Sequence, residues 1–338
     1  MSTQRITILG DGAMATVCAM LLDAKGHSVA VWGPFSDHVD QMLRTRRNDK
    51  YLPEIALADS IHITADESEA LAATSLIVSA IPTQFVRGVW DRVASQVPAG
   101  VPIVSVAKGI ENDTLLRPTQ TIADVLRRHG HERPMLAAIS GPSIARELAR
   151  CLPATVCVAG DEPFIKQVQQ LFTTQWMRVY TNPDLLGLEL AGATKNVIAI
   201  AAGIIDGLHA GYNAKSALLS RGLAEITRLG IAMGARPDTF FGIAGVGDLA
   251  TTCFSPEGRN RTCGELLGRG IKLPDALKQI TGVVEGVATT RSVIQLARQH
   301  NVEMPITEAV HDVLFEGMDP IHGISRLMSR QLKEERVG

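Results

Sequence analysis

The chain is poor in aromatic side chains, which make up only 4% of its 338 residues, so it offers little surface on which nucleic-acid bases could stack. It also has no excess of either charge. Thirty-three basic side chains face 35 acidic ones, a formal charge of -2, and no cationic field able to hold nucleic acid or an acidic membrane follows. The five cysteines, Cys18, Cys151, Cys157, Cys253 and Cys263, are an odd set without a CxxC pair. That argues against a disulfide framework and a zinc ribbon, and predicts reduced thiols. No HExxH pattern occurs among the scattered histidines, and His129 and His131 fall in a polar, glycine-containing connection; no metal site is expected. The opening MSTQRITILGDG has no basic-then-apolar leader, which predicts a cytoplasmic location. Residues 196–208, the longest apolar stretch, are interrupted by Asp206 and fall short of the ~20 residues of a membrane span.

What is present is apolar material, 46% of the residues, enough for packed cores. At roughly 150 residues per domain the length predicts two domains. In the first half, short runs rich in Val and Ile (6–9, 28–32, 61–63, 76–81, 103–106, 136–140 and 155–159) alternate with amphipathic segments (13–24, 37–46, 84–96, 115–129 and 163–173). Strand alternating with helix predicts a parallel sheet covered on both faces. Beyond Asn182-Pro183-Asp184 the strands stop. Long helical patterns at 185–208 and 215–233, then at 273–280, 289–300, 307–315 and 321–333, predict an all-helical second domain. The expected division is therefore 1–182, an α/β Rossmann-type domain, and 183–338, an all-α domain.

Gly10-Asp11-Gly12-Ala13-Met14-Ala15 follows the first strand and opens a helix, the GxGxxA form of the dinucleotide fingerprint. Gly10 permits the tight turn, Gly12 lets the backbone approach a pyrophosphate, and Ala15 keeps helix and strand close. The helix N-terminus then offers free N–H groups and a partial positive charge. Standing alone, the motif also fits a merely structural glycine turn. After the second strand the chain reads Val31-Trp32-Gly33-Pro34-Phe35-Ser36, with no carboxylate before Asp37. The missing acid permits a 2′-phosphate and favours NADP, with NAD left open because no arginine follows at once; Arg44, Arg46 and Arg47 lie a helix away.

Lys195 stands in LELAGATKNVIAIAAG, an almost uncharged segment. Burying an ammonium costs several kcal/mol unless it is paired or neutralised, and desolvation lowers a lysine pKa toward the range of general acid–base work. The competing reading is a lysine whose stem snorkels to the surface. Lys108-Gly109 and Gly141-Pro142-Ser143 each follow a strand, where ligands of open parallel sheets gather, although plain strand-to-loop turns fit as well. Downstream, GVGDLATT (245–252) precedes Gly258-Arg259-Asn260-Arg261. Two guanidinium groups beside small and amide residues suit a phosphate, and equally a solvated surface turn.

Taken together these residues resemble the NAD(P)-dependent glycerol-3-phosphate dehydrogenase family, bacterial type. The likeness runs through GDGAMA, VWG, NDKYLP (48–53), VAKG around Lys108, SGPSIARE (140–147), ATKNVIAIAAG (193–203), SRGLAEITRLG (220–230), GVGDLATTC, GRNR, VVEG (283–286) and VEMPITEAV (302–310). The resemblance implies a Rossmann domain followed by a helical domain of the 6-phosphogluconate dehydrogenase C-terminal kind. It implies reversible hydride transfer between sn-glycerol 3-phosphate and NAD(P), giving dihydroxyacetone phosphate, and a supply of glycerol 3-phosphate for phospholipids. A homodimer is also implied. By matching motif, Lys195 is the proton acceptor, with Lys108 and Asp248 orienting and polarising the reacting oxygen. Arg259 and Asn260 are substrate-phosphate binders, with Thr252, Gly258, Gly141 and Ser143 lining the same site. Gly10, Gly12, Ala13, Met14, Ala15, Pro34, Lys108, Ala145, Arg259, Val283 and Glu285 are cofactor contacts.

Three departures stand out. Ala13-Met14-Ala15 replaces a serine, an aromatic residue and a third glycine; Gly258 replaces a serine; Pro34 replaces the arginine or histidine often found after VWG. Two other readings of the residues stay open, a related two-domain dehydrogenase acting on a 3-hydroxy acid and a non-catalytic regulator that senses NAD(P)H.

Overall fold

The computed structural model describes residues 3–332, 334 and 335. Packing divides the chain into two units, Met1–Ala107 with Pro118–Leu185, and Lys108–Arg117 with Leu186–Gly338. The sequence places one boundary at 182/183. The structure instead sends the chain into the second unit for ten residues, back to the first, and into the second again after Leu185. The reason is visible in the segment itself. Ile110 is fully buried in the hydrophobic core of the second unit, Ser292 Oγ donates to Ile110 O and to Asn112 Oδ1, and Arg117 pairs with the buried carboxylate of Glu189.

Among the described residues the first unit contains ten strands: β1 Arg5–Leu9, β2 Ser28–Trp32, β3 Arg47–Asn48, β4 Leu52–Ala56, β5 His62–Thr64, β6 Leu76–Ser79, β7 Ile103–Ser105, β8 Leu136–Ser140, β9 Ala154–Gly160 and β10 Met177–Asn182. Eight form one sheet in the order β10-β9-β8-β7-β6-β1-β2-β5, while β3 and β4 make a separate hairpin. The order reverses between β1 and β6, so the carboxyl ends of these two strands mark the switch point where open α/β sheets bind ligands. β6 and β8 are buried along their whole length and β1 at every residue but Arg5, as strands covered on both faces should be.

The sheet is not wholly parallel. β8 and β9 pair antiparallel, Ala138 opposite Ala159. Between them lies only the five-residue helix Ala145–Ala149, about 8 Å long against a five-residue strand of about 17 Å. It is too short to carry the chain back for a parallel crossing. The nine-residue helix Phe164–Phe172 does restore parallel pairing between β9 and β10.

The second unit is helical, built on Leu185–Gly207 and Gly211–Ala232. At 23 residues and a mean hydropathy of 1.5, Leu185–Gly207 is long and apolar enough to cross a membrane, which the shorter stretch read from sequence is not, yet its most apolar window is wholly buried in the protein. A helix apolar all round is one enclosed by a core. It meets the helix Arg259–Gly268 backbone to backbone. A Cβ on Gly203 would lie 1.9 Å from Arg261 O, and one on Gly264 1.9 Å from Ile200 O. The crossing explains glycines that each cost a helix about 1 kcal/mol in propensity. Helices Pro237–Phe241, Asp248–Phe254 and Arg259–Gly268 lie outside the helical patterns read from the sequence. The last predicted helix, 321–333, ends at Met328 instead, and its Lys333 lies outside the described residues.

Candidate active site

In the second unit three charged side chains meet. Lys195, halfway along Leu185–Gly207, is 5% exposed; its Nζ donates to Asp248 Oδ1 at 2.8 Å and to Thr252 Oγ1 at 2.6 Å. Lys108 Nζ donates to the other oxygen, Asp248 Oδ2, also at 2.8 Å. Asp248 follows the π-helical turn Ile243–Gly247 and begins the helix Asp248–Phe254, so its carboxylate enters the core from a backbone already widened, a feature common at functional sites. Thr252, one turn on, returns its hydroxyl to Asp248 O at 2.6 Å, which leaves its lone pairs toward Lys195. Asn196 Nδ2 holds Lys108 O at 3.3 Å, and Asn260 Nδ2 holds Asn196 Oδ1 at 3.0 Å. Asn196 was not singled out from the sequence, although an amide inside an apolar helix is a signal, since a buried amide needs partners.

The electrostatics follow from burial. Desolvation pushes the Lys195 pKa down, to about 8; Asp248 opposes this and Lys108 adds to it. Burial by itself would raise Asp248, but the ammonium groups of Lys108 and Lys195 more than offset it and hold the carboxyl below its ordinary value. One carboxylate thus orients two amines, one of which exchanges its proton near neutrality.

The other predicted residues of this unit lie at helix N-termini. Gly258 caps Arg259–Gly268 without a side-chain hydrogen bond, and no acidic residue stands in the first turn. Arg259 is exposed and forms no ion pair among the described residues. The reading that both arginines of GRNR serve a phosphate does not hold. Arg261 donates its Nε to Asp206 Oδ2 at 2.6 Å and pairs with Glu265, because a guanidinium beside a partly buried carboxylate is captured by it. The Asn260 side chain is also engaged, accepting from Gly286 N at 2.8 Å, so its own backbone N–H is what the first turn presents. Val283 and Glu285 are partly buried at the start of Glu285–Gln299.

Gly10, Gly12, Ala13, Met14, Ala15, Pro34, Gly141, Ser143 and Ala145 belong to the first unit, and they fit a dinucleotide. Gly10 has φ +122°, and a Cβ there would lie 2.6 Å from Ala80 O, the residue after β6, so the turn is pressed into the switch point. At Gly12 nothing lies within 4 Å of an added Cβ, which leaves open space for a pyrophosphate. The helix Ala13–Ala24 has neither a side-chain cap nor an acidic first turn, so its N–H groups remain available. Ala15 is fully buried under the helix. Gly141 leaves β8 with φ +132°, and Ala145 opens the short helix that follows. Phe35 and Phe85, exposed after β2 and β6, were not foreseen; an exposed aromatic ring beside such a turn was the available signal.

Two family profiles match the chain, NAD-dependent glycerol-3-phosphate dehydrogenase N-terminus over residues 5–164 and the C-terminus of the same family over residues 184–325. The chain belongs to this family. It is 48% identical over 336 residues to a glycerol-3-phosphate dehydrogenase [NAD(P)+] of Salinibacter ruber, covering 99% of this chain and 97% of that one. A Bacillus pumilus protein of the same name is 46% identical, with 97% and 94% covered. Among solved structures, glycerol-3-phosphate dehydrogenase from Coxiella burnetii superimposes with a TM-score of 0.93 at 36% identity, over 97% of this chain and 99% of that one.

Proposed function

We propose that the chain catalyses reversible hydride transfer between sn-glycerol 3-phosphate C2 and NAD(P), with dihydroxyacetone phosphate as the oxidised partner. The observation that carries this reading is the pair of lysines on one buried carboxylate. In the oxidative direction the neutral Lys195 amine accepts the C2 hydroxyl proton while the C–H bond yields its hydride and the C=O bond forms. The dinucleotide, when bound, accepts or returns that hydride at its nicotinamide. Lys108 stabilises the negative charge that grows on the reacting oxygen. Asp248 holds both amines, and Thr252 fixes the angle of Lys195. Arg259 and the uncapped first turn of Arg259–Gly268 bind the substrate phosphate, which positions C2 without reacting. Gly10, Gly12 and the N–H groups of Ala13–Ala24 would hold the pyrophosphate.

With the activity come the family's expected setting, a cytoplasmic homodimer supplying glycerol 3-phosphate to phospholipid synthesis. The test is an initial-rate assay of dihydroxyacetone phosphate reduction with NADH and with NADPH. Turnover is expected with at least one cofactor, and Arg259→Ala should raise the KM for dihydroxyacetone phosphate by about 100-fold, the worth of a charged hydrogen-bond pair. A substrate lacking phosphate, such as a 3-hydroxy acid, that turned over equally well in both forms would point to the related dehydrogenase. Absence of any NAD(P)H oxidation would leave a sensor.

A further inference from the structure

The residue that reads the adenosine ribose is absent from its usual place. In the dinucleotide fold an acidic side chain about 20 residues beyond the glycine turn, at the end of the second strand, bonds the ribose 2′-hydroxyl. Here that place is taken by Gly33, at the tip of β2. The space a side chain would fill at Gly33 is not empty. A Cβ built there would lie 2.8 Å from Val39 Cγ2, 2.9 Å from Asp11 Oδ2 and 3.0 Å from Asp11 Cβ. Asp11, the middle residue of Gly10-Asp11-Gly12, lays its side chain against the end of β2, and with Val39 it fills the space that a side chain at Gly33 would need.

The surroundings point the same way. Asp11 Oδ2 is buried against Gly33 without a hydrogen-bond partner among the described residues, but the residue is only partly buried, and the open side of its carboxylate is an acceptor that suits a ribose hydroxyl and not a phosphate. Burial raises the carboxyl above its ordinary value, while His38 and Lys50 favour its ionised form. The turn is held rigidly, since Asn48 Nδ2 donates to Asp11 O at 2.8 Å and to Thr16 Oγ1 at 2.8 Å. The arginines that would suit a 2′-phosphate are engaged elsewhere. Arg46 donates to Ala58 O and Ile61 O, and Arg47 donates to Pro53 O and pairs with Asp49. Arg44 sits in the last turn of the helix Ser36–Thr45, about 12 Å along its axis from β2. Lys50, whose Nζ lies 4.9 Å from the Tyr51 ring centre, is the remaining cation near the turn.

We propose that Asp11 is the specificity residue for the dinucleotide: carried on the glycine turn instead of on β2, its carboxylate accepts the adenosine ribose 2′-hydroxyl and repels a 2′-phosphate, so that the enzyme prefers NAD(H). This reverses the preference that the bare sequence of β2 implies, because the acid is supplied from another strand's end. The proposal rests on the dinucleotide reading of the glycine turn and not on the identity of the substrate.

The experiment is calorimetric titration of the full-length protein with ADP-ribose and with its 2′-phosphorylated form, neither of which carries nicotinamide. The wild type should bind ADP-ribose at least about 30-fold more tightly, in the range expected for one charged hydrogen bond gained and one repulsion avoided. Asp11→Asn keeps the volume beside Gly33 and should bring the two affinities within about threefold, chiefly by tightening the phosphorylated ligand. Asp11→Ala, which demands no new space, is the second variant should the first fail to fold, and should equalise the ligands in the same way. Lys50→Ala should leave the wild-type ratio standing. Equal or tighter wild-type binding of the phosphorylated ligand would overturn the proposal, as would variants that weaken both ligands by one common factor, the sign of a turn merely held in shape. Binding of neither ligand would overturn it together with the dinucleotide reading beneath it, whereas loss of glycerol-phosphate turnover alone would leave it untouched.

Discussion

Lys195, the proposed base, has its ammonium buried beside a carboxylate that is shared with Lys108. Burial brings the pKa down to about 8; Asp248 opposes this, and Lys108, bound to the same carboxylate, adds to it. The sign of the pH dependence follows. Oxidation of glycerol 3-phosphate needs the neutral amine, so kcat/KM should climb about tenfold per pH unit below 8 and level off above it. Reduction of dihydroxyacetone phosphate needs the ammonium and should fall above about 8. Lys195→Met should remove both inflections and lower kcat by about 10²- to 10⁴-fold, the usual worth of a positioned acid–base group; paired pH–rate profiles of the two directions check this. A second buried acid gives a contrasting case. Glu225 accepts from Ile306 N and Thr307 N at the start of the helix Pro305–Phe315, and burial pushes it up to about 7, those bonds offsetting only part. The folded protein therefore keeps a proton between pH 4.5 and 7 that the unfolded chain releases, and stability falls as pH rises through that window. Glu225→Gln should abolish this share of the slope, so that urea midpoints of wild type and variant diverge in the variant's favour between about pH 5 and about pH 8.

Elements were legible in the sequence wherever periodicity alone decides them. The helix Ala13–Ala24 and strands β2 and β8 fall where the pattern puts them, because one face or both faces of each is apolar without interruption. What escaped was set by partners remote in sequence. The hairpin β3–β4 has too few residues for a period, β10 carries the polar alternation of an edge, and Arg259–Gly268 hides its helical character in small residues. Those small residues are what the crossing with Leu185–Gly207 requires. Gly203→Ala should force the helices apart and cost about 3 kcal/mol or more, at the upper end of overpacking, read as a lowered denaturant midpoint. Because Asn196 and Asn260 face each other across the same crossing, the KM for dihydroxyacetone phosphate should rise along with the loss of stability. The two lysines were visible as residues, Lys195 as a charge inside apolar sequence and Lys108 by its place directly after a strand. Their geometry was not, since nothing local shows that Lys108 and Lys195 converge on Asp248, or that Arg261 turns away to Asp206.

At the scale of the molecule, the two compositional halves and the two packed units differ at residues 183–185 and at the ten of Lys108–Arg117, and those ten decide whether the proposed catalytic set is complete. A composition shift marks where strands cease; it is blind to a loop that leaves its own sheet to fill another core. A fragment spanning 183–338 lacks Ile110, which is fully buried, and leaves Glu189 without the Arg117 guanidinium. Removing one partner of a buried ion pair costs about 3–5 kcal/mol, and the vacated isoleucine site adds about 2–5 kcal/mol. The fragment should show helical circular dichroism without a cooperative melt, and a synthetic peptide of residues 108–117 should restore cooperativity in part.

Lys108–Arg117 thus makes the helical half something other than a cassette. A chimera joined at a single splice near residue 182 would inherit one amine from each parent, together with a plug shaped for a different hole. Swapping that half intact takes three joints, at 107/108, 117/118 and 185/186, and any lineage that shuffled its parts must have carried the short stretch and the long one as a pair.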